Sequence, residues 1–447
     1  MDIKRQKFLI LGVSKSGFSC ANFIIGKGGA CHLYEDNKTD KIKSKIDELT
    51  ALGAIDLSNA EFEDIFKGVS AVVVSPGVPI NHKICIEAKR RGVRILSELE
   101  FGFLSFNPLS VAVTGTNGKT TTVSLIEHIL KSANINAVSV GNIGYPVTSK
   151  LDEILSSSVC VTEVSSFQLE STYKFAPHIA CILNITPDHL DRHYTMDNYV
   201  YLKKRILQNL TSTEYAVLNY DDERIREFAK DITAKIIPVS LINDYGGASV
   251  LGGKLYFKGK FVVDIDELPI KGLHNAQNTL FAIAVCSILG VNIEDIKSGV
   301  CSFNGVAHRT ELVLEKDGVK YINDSKATNT ASSITAINSM TLPTILLLGG
   351  SEKGESYLEL FRTIKSSVVK HAILYGASRI NMISDAGKIG YGDMTIVKNF
   401  DDAVGIAKTL AKDGEVVLLS PACASFDEFS GYEERGERFK FLVGAES

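Results

Sequence analysis

No apolar run in this 447-residue chain approaches the length needed to cross a bilayer, so no membrane-spanning helix and no membrane partner are expected. An excess of positive charge is missing as well. The formal net charge of −4 argues against a dedicated nucleic-acid binder, which carries a basic surface. The eight cysteines (Cys20, Cys31, Cys85, Cys160, Cys181, Cys286, Cys301 and Cys423) contain no Cys-x-x-Cys pair. Several sit in strand-like runs such as SVCVTEV and ACILNIT, which suits reduced, buried thiols and a cytoplasmic address better than disulfides or zinc. The opening MDIKRQKFLILGV imitates a signal peptide, but its apolar stretch stops at Gly12 and no small-residue cleavage site follows. A first β-strand is expected there. Low-complexity tracts and short-period repeats are also absent.

What is present is an ordinary globular composition, 45% apolar and 22% charged, in a chain long enough for two or three domains. Short apolar runs ending in glycine or polar loops alternate with helical patterns. Examples are KFLILGVSKSG, AVVVSPGVP, SVAVTGTNGKT, VCVTEVSS, ACILNITPDH, TILLLGGSEKG, HAILYGASR and EVVLLSPACAS. Continuous Val/Ile/Leu runs of this length suit strands buried on both faces of a parallel sheet. An α/β fold is therefore expected, with chemistry in the residues just beyond each strand. Three blocks are distinguished: residues 1–107, closing at the Asn107-Pro108 break, then 108–306 and 307–447.

The second block opens with TGTNGKTTT, Thr114 to Thr122. A usual P-loop has four residues between its first glycine and the Gly-Lys pair; here Gly115 and Gly118 enclose only Thr116 and Asn117. The context is nonetheless that of an anion site: an apolar strand before, and after it a helix with Val123, Ile126 and Leu130 in register. Lys119 is placed to reach the β- and γ-phosphates and Thr120 to offer its hydroxyl to Mg²⁺. The alternative is a tight turn with an incidental lysine. A magnesium site needs a carboxylate on a neighbouring strand end. Glu163 stands directly after VCVT, and Ser165, Ser166 and Gln168 follow as a polar shelf. Beyond the next strand, Asp188, His189 and Asp191 crowd into four positions. They read either as a helix start capped by Asp188 or Thr186, or, with His189, as a second metal site. The next helix carries Tyr199, Leu202, Ile206 and Leu210 on one stripe. Lys203 falls at the stripe's edge and Lys204 points away. Lys203 either snorkels past the core or is held inside near the metals.

Taken together, GTNGKTTT, EVSSFQLE, NITPDHLDRH, GLHNAQN, AHRTE, NDSKATNT and LLSPACASFDEF with YEERG, in this order and over nearly the whole chain, resemble the Mur ligase family. The shortened loop is that family's form of the P-loop. The resemblance implies three α/β domains: an N-terminal Rossmann-like domain for a UDP-linked substrate, a central P-loop ATPase-type parallel sheet, and a C-terminal Rossmann-like domain for an amino acid. It implies ATP-dependent joining of D-glutamate to UDP-N-acetylmuramoyl-L-alanine through an acyl-phosphate, in peptidoglycan precursor synthesis, by a monomer. Gly115, Thr116, Asn117, Gly118, Lys119, Thr120 and Thr121 would hold ATP. Asn275 and Asn278 would meet its adenine side, and Arg309, Asp324 and Lys326 would come from the third block to close on it. Thr120 and Glu163 would bind one Mg²⁺. His189 and a carbamylated Lys203, which matches the family's Lys-x-Arg-Ile context, would bind a second. Thr328, Lys353, Ser425, Phe426 and Tyr432 would form the D-glutamate pocket, with Tyr432 where the family often has phenylalanine. In the first block, GVSKSG (Gly12 to Gly17) stands where the family has Gly-x-Gly-x-Thr-Gly. Lys15, Ser16, Asp36, Asn37, Ser75, Pro76 and Gly77, with Asn142 and Ser165, would serve the UDP-linked substrate.

Three competing readings differ in what they predict. A sister Mur or folylpolyglutamate-type ligase would use another amino acid. A regulatory or motor ATPase would turn over ATP without one. A dinucleotide oxidoreductase would bind NAD(P), although Ser14 replaces the glycine that lets a backbone approach the pyrophosphate.

Overall fold

The computed structural model describes residues 2–106, 108–150, 159–351 and 356–445. They form two compact units, Met1–Pro269 with Asn275–Phe303, and Ile270–His274 with Asn304–Ser447. All eight apolar runs are strands: Lys7–Leu11, Ala71–Val74, Leu109–Thr114, Val159–Glu163, Ile179–Ile182, Thr344–Gly349, Val369–Tyr375 and Val416–Leu419. Every strand pairing among them is parallel. Runs such as AVVV, IACI and VVLL are buried at each position. Only a sheet covered on both faces allows that.

The first unit carries two sheets. One is an all-parallel five-stranded sheet with Lys7–Leu11 at its centre, flanked by Ala30–Tyr34 and Ala71–Val74. The other has nine strands. In it Leu109–Thr114 lies between Ile179–Ile182 and Val159–Glu163, with Ala137–Gly141 beyond the latter at the edge. Because the chain leaves Leu109–Thr114 for the far edge and returns to both its sides, the strand order reverses there. That reversal opens the crevice in which α/β sheets place ligands. Helix Lys119–Ser132 follows and buries Val123, Leu125, Ile126, Ile129 and Leu130. At ~1.5–3 kcal/mol for each fully buried aliphatic side chain, this packing anchors the glycine loop at the helix start. The second unit holds a six-stranded sheet. Its edge pair Glu311–Lys316 and Val319–Asn323 is antiparallel and the remaining strands are parallel.

Two elements differ from expectation. The nine-stranded sheet ends in an antiparallel ribbon, Ala248–Leu251, Lys254–Phe257 and Lys260–Asp264. Its tight turns use Gly252, Gly253, Lys258 and Gly259, all at positive φ, the backbone that two-residue hairpins demand. The helix carrying Lys203 runs Met196–Lys204 and then tightens into a 3₁₀ turn, Arg205–Leu207. Tyr199, Leu202, Ile206 and Leu210 are buried across that change.

Candidate active site

The phosphate loop is closed from the side by a residue that the sequence reading did not single out. The Asn184 side-chain oxygen accepts N–H bonds from Thr116 (3.1 Å) and Asn117 (2.9 Å), and the Asn184 amide donates to the Asn117 carbonyl at 3.1 Å. Its backbone carbonyl also accepts from Thr116 N–H at 2.9 Å. In a longer loop such N–H groups would turn toward a phosphate. Here they face the neighbouring strand, which leaves the first turn of helix Lys119–Ser132 as the anion-facing end. Gly118 opens that helix at φ +83°, and a Cβ there would meet Asn278 Oδ1 at 2.4 Å. Asn278 Oδ1 accepts from Thr122 Oγ1 (3.3 Å), and its amide donates to Asn275 Oδ1 (3.3 Å). The two asparagines assigned to the adenine side are thus joined to the loop helix. Lys119 Nζ donates to the Gly115 and Thr116 carbonyls at 2.9 and 2.7 Å.

At the strand ends beside the loop, Thr120 Oγ1 donates to Glu163 Oε2 at 2.8 Å, and Asn142 Nδ2 donates to Glu163 Oε1 at 2.8 Å. Glu163 is buried, and so is Thr121, whose hydroxyl has no hydrogen-bond partner. A buried hydroxyl–carboxylate pair of hard oxygen donors fits Mg²⁺ shared with a phosphate. Among the described residues no three His, Cys, Asp or Glu side chains converge into a metal cage. An ion completed by substrate phosphates does not need one.

Lys203 is 1% exposed. Its Nζ donates to the Gly115 carbonyl at 2.8 Å and sits 4.6 Å from the Tyr199 ring centre. Burial, and secondly the Lys119 cation, push its pKa well below the usual lysine value, with Asp188 opposing. Lys204, by contrast, pairs at the surface with Asp231. The sequence had left open whether Lys203 lies inside, and inside is where it lies.

His189 occupies the N-cap position of the short helix Leu190–His193 at φ +54°, with no side-chain cap. Asp188 Oδ1 accepts the His189 N–H at 2.9 Å. The exposed His189 ring rests on Phe167, centroids 5.0 Å apart. The polar shelf after Glu163 has a local structural job. Ser165 and Gln168 form a reciprocal capping box on helix Ser166–Leu169.

In the first sheet, Ser75 Oγ donates to the Gly12 carbonyl at 2.7 Å, and a Cβ on Gly17 would lie 1.8 Å from that oxygen. GVSKSG and SPGVP are therefore packed against each other. Ser16 is half-buried, and Lys15 is exposed with its Nζ 5.7 Å from the Tyr145 ring. Asp36 is held by His82 (2.5 Å) and Lys83 (3.4 Å), which outweigh burial and lower its pKa. Asn37 N–H donates to Glu35 at 3.1 Å. Arg192 donates to the Val78 carbonyl at 3.0 Å and to Gly77 at 3.5 Å, tying the SPGVP loop to the segment after His189.

In the second unit, buried Asp324 accepts from Ser420 Oγ (2.8 Å) and Thr310 N–H (3.1 Å). Burial pushes its carboxyl up to about 6, against the opposing charge of Arg309. Lys326 Nζ lies 5.0 Å from the Tyr432 ring centre, and Thr328 follows in the same loop, its N–H on the Lys326 carbonyl. Ser425 is buried and Phe426 is 73% exposed. Lys353 lies outside the described residues. The organiser here was not singled out from the sequence. Arg435, fully buried, donates to Ser325 Oγ and O (2.9 and 2.8 Å) and to the Cys423 carbonyl (3.0 Å). It thereby binds NDSKATN to SPACAS. An arginine in an otherwise polar YEERG had no periodicity to mark it as internal.

Three family models match in sequence: the Mur ligase MurD-like N-terminal domain over residues 6–97, the Mur ligase middle domain over 113–286, and the Mur ligase glutamate ligase domain over 308–423. The chain belongs to the Mur ligase family. Within it, the chain is 39% identical to the UDP-N-acetylmuramoylalanine--D-glutamate ligase of Clostridioides difficile (strain 630), covering 98% of each chain. It is also 39% identical to the protein of that name from Pelotomaculum thermopropionicum (strain DSM 13744 / JCM 10971 / SI), covering 99% of this chain and 98% of that one. Among solved structures it shares its fold with UDP-N-acetylmuramate-alanine ligase MurC of Thermotoga maritima (TM-score 0.65, 16% identity, 98% and 99% covered). It shares it too with the MurF ligase of Thermotoga maritima in complex with ADP (TM-score 0.61, 16% identity, 99% of each).

Proposed function

We propose that this protein joins D-glutamate to UDP-N-acetylmuramoyl-L-alanine with hydrolysis of ATP, in peptidoglycan precursor synthesis. The observation that carries the chemistry is the convergence of Lys119, the Thr120–Glu163 pair and buried Lys203 on one shortened phosphate loop. The choice of D-glutamate rests on relatives of that name matching nearly end to end.

Amide formation from a free carboxylate is uphill in water, so the acyl group has to be activated. In this reading the L-alanine carboxylate attacks the γ-phosphorus, ADP leaves, and an acyl-phosphate forms. The D-glutamate amine then attacks the acyl carbon, and the tetrahedral adduct expels phosphate. Lys119 leaves its loop carbonyls to meet the phosphates. Thr120 and Glu163 would hold one Mg²⁺ and His189 with Lys203 a second. Bound there, these ions would neutralise charge on the transferring phosphoryl group. Lys203 suits carbamylation because burial and the Lys119 cation lower its pKa and so favour the neutral amine. That amine attacks CO₂, releases a proton and becomes an anionic oxygen donor beside the Lys119 cation. Alternatively, free of a metal, the exposed His189 would take the proton of the attacking amine. Asn275, Asn278, Arg309, Asp324 and Lys326 are assigned to the nucleotide. Lys15, Ser16, Asp36, Asn37, Ser75, Pro76, Gly77, Asn142 and Ser165 are assigned to the UDP-linked acid. Thr328, Lys353, Ser425, Phe426 and Tyr432 are assigned to D-glutamate. The reading includes a cytoplasmic address and a monomer.

An amino-acid panel in a phosphate-release assay with UDP-N-acetylmuramoyl-L-alanine tests it. Release is expected only when ATP, the nucleotide-linked acid and D-glutamate are all present. Release driven by L-alanine, a diamino acid or a folate would assign the chain to a sister activity.

A further inference from the structure

The histidine four residues after His189 has no part in the reading above, yet it is linked to Lys203 through one shared ring, that of Tyr199. His193 is 1% exposed, and its Nε2 lies 2.9 Å from Ser166 Oγ. Its ring contacts Phe167 (centroids 5.1 Å, planes 33° apart) and stacks on Tyr199 (5.4 Å, 30°). Glu170 lies 3.7 Å from His193 Nδ1 and pairs with Arg192 at 2.8 Å.

Tyr199 is in turn fixed at its other end. Its hydroxyl lies 3.1 Å from Thr116 Oγ1, which donates to the Thr186 carbonyl and accepts the Thr186 N–H, both at 3.0 Å. A hydroxyl has one hydrogen and two lone pairs. With its hydrogen on Thr186, Thr116 can only accept from Tyr199. The phenol is thus a donor in a satisfied network, and its ring is the surface over which Lys203 Nζ sits at 4.6 Å. Ser166 at the start of helix Ser166–Leu169, the stacked rings of His193 and Tyr199 and the P-loop Thr116 form one continuous buried support under the lysine.

We infer that His193 is a positioning residue: stacked on Tyr199 and pinned by Ser166, it holds the ring that sets the amine of Lys203 against the phosphate loop. The inference rests on the carbamate reading above. Groups that orient a metal ligand without touching the metal typically cost 10–100-fold in metal affinity or activity when removed. The bland alternative is that His193 merely fills space between Phe167 and Tyr199.

The test compares the full-length chain with its His193→Ala, His193→Phe and Ser166→Ala variants. Carbamate on Lys203 is read by ¹³C NMR in ¹³C-bicarbonate, in metal-free protein, with Lys203→Ala as the blank. The Mg²⁺ dependence of phosphate release and the melting temperature are measured in parallel. His193→Ala is expected to lose most of the carbamate signal and to raise the Mg²⁺ requirement roughly 10–100-fold. His193→Phe, which keeps a flat ring in the stack, should recover more of the signal than His193→Ala. Ser166→Ala should fall between the unsubstituted chain and His193→Ala. A folded His193→Ala with the unsubstituted signal and Mg²⁺ dependence overturns the inference alone, as does a folded His193→Phe no better than His193→Ala. No carbamate in the unsubstituted chain sinks the reading and the inference together. Should His193→Ala not fold, the ranking of His193→Phe and Ser166→Ala decides: both matching the unsubstituted chain overturns it.

Discussion

Lys203 Nζ donates a 2.8 Å hydrogen bond to the carbonyl of Gly115, the first glycine of the phosphate loop. In the proposed reading this amine serves catalysis as a carbamate, because burial and the neighbouring Lys119 cation both disfavour an ammonium there. Lys203→Ala is therefore expected to lower the D-glutamate-dependent rate by at least ~10²-fold, the scale for removing one preorganised electrostatic group. Formate or acetate should restore part of it by supplying the missing carboxylate. Full activity in the variant would refute the second-metal assignment.

Asn184→Ala should weaken nucleotide binding. The side chain makes two accepted bonds to the loop, each worth about 1 kcal/mol net. The expected rise in the ATP dissociation constant is about 10–30-fold, measured by titration calorimetry. An unchanged constant would mean the loop holds its shape without Asn184.

Asp324 gives the second unit a pH dependence. Its carboxyl is raised to about 6, chiefly by burial. The folded state therefore binds the proton more tightly than the unfolded chain does. Its stabilising contribution is present at low pH and is lost as pH climbs through about 6. Between pH 4.5 and 7.5 the loss is about 2 kcal/mol relative to Asp324→Asn, which carries no titrating group. Denaturant titrations of both proteins at the two pH values check this, and parallel profiles would refute it.

Arg435 reaches Ser325 and Cys423 at once. Removing it leaves buried acceptors unpaired, at about 1–3 kcal/mol each. Arg435→Ala should lower the melting temperature of the second unit by several degrees. Arg435→Lys should not restore it, because a point-like ammonium cannot reproduce the planar fork. Full rescue by lysine would show that charge alone is required there.

The parallel sheets were legible because both-face burial writes itself as unbroken Val/Ile/Leu runs. The phosphate loop, Glu163 and the inward Lys203 were legible because each follows such a run or sits on a periodic helix. The ribbon from Ala248 to Asp264 went unread although Gly252-Gly253 and Lys258-Gly259 mark its turns. Its half-exposed strands lack the long apolar signal. Asn184, His193 and Arg435 escaped for another reason. Each is a polar residue whose importance lies in partners far along the chain, and no local spacing encodes those partners. The Ser165–Gln168 capping box shows the converse. A motif with a place in the resemblance also has a plain structural duty, and sequence alone weighted only the first.

The strand end that clasps the phosphate loop through Asn184 also carries Asp188 and His189 a few residues on. In the proposed reading, phosphate grip and proton-handling histidine thus share one chassis. If that strand shifts, both travel with it, so their mutual spacing survives motions that would spoil two independently mounted groups. The same economy is a vulnerability: a small molecule wedged between Asn184 and the loop would throw both out of register in a single step.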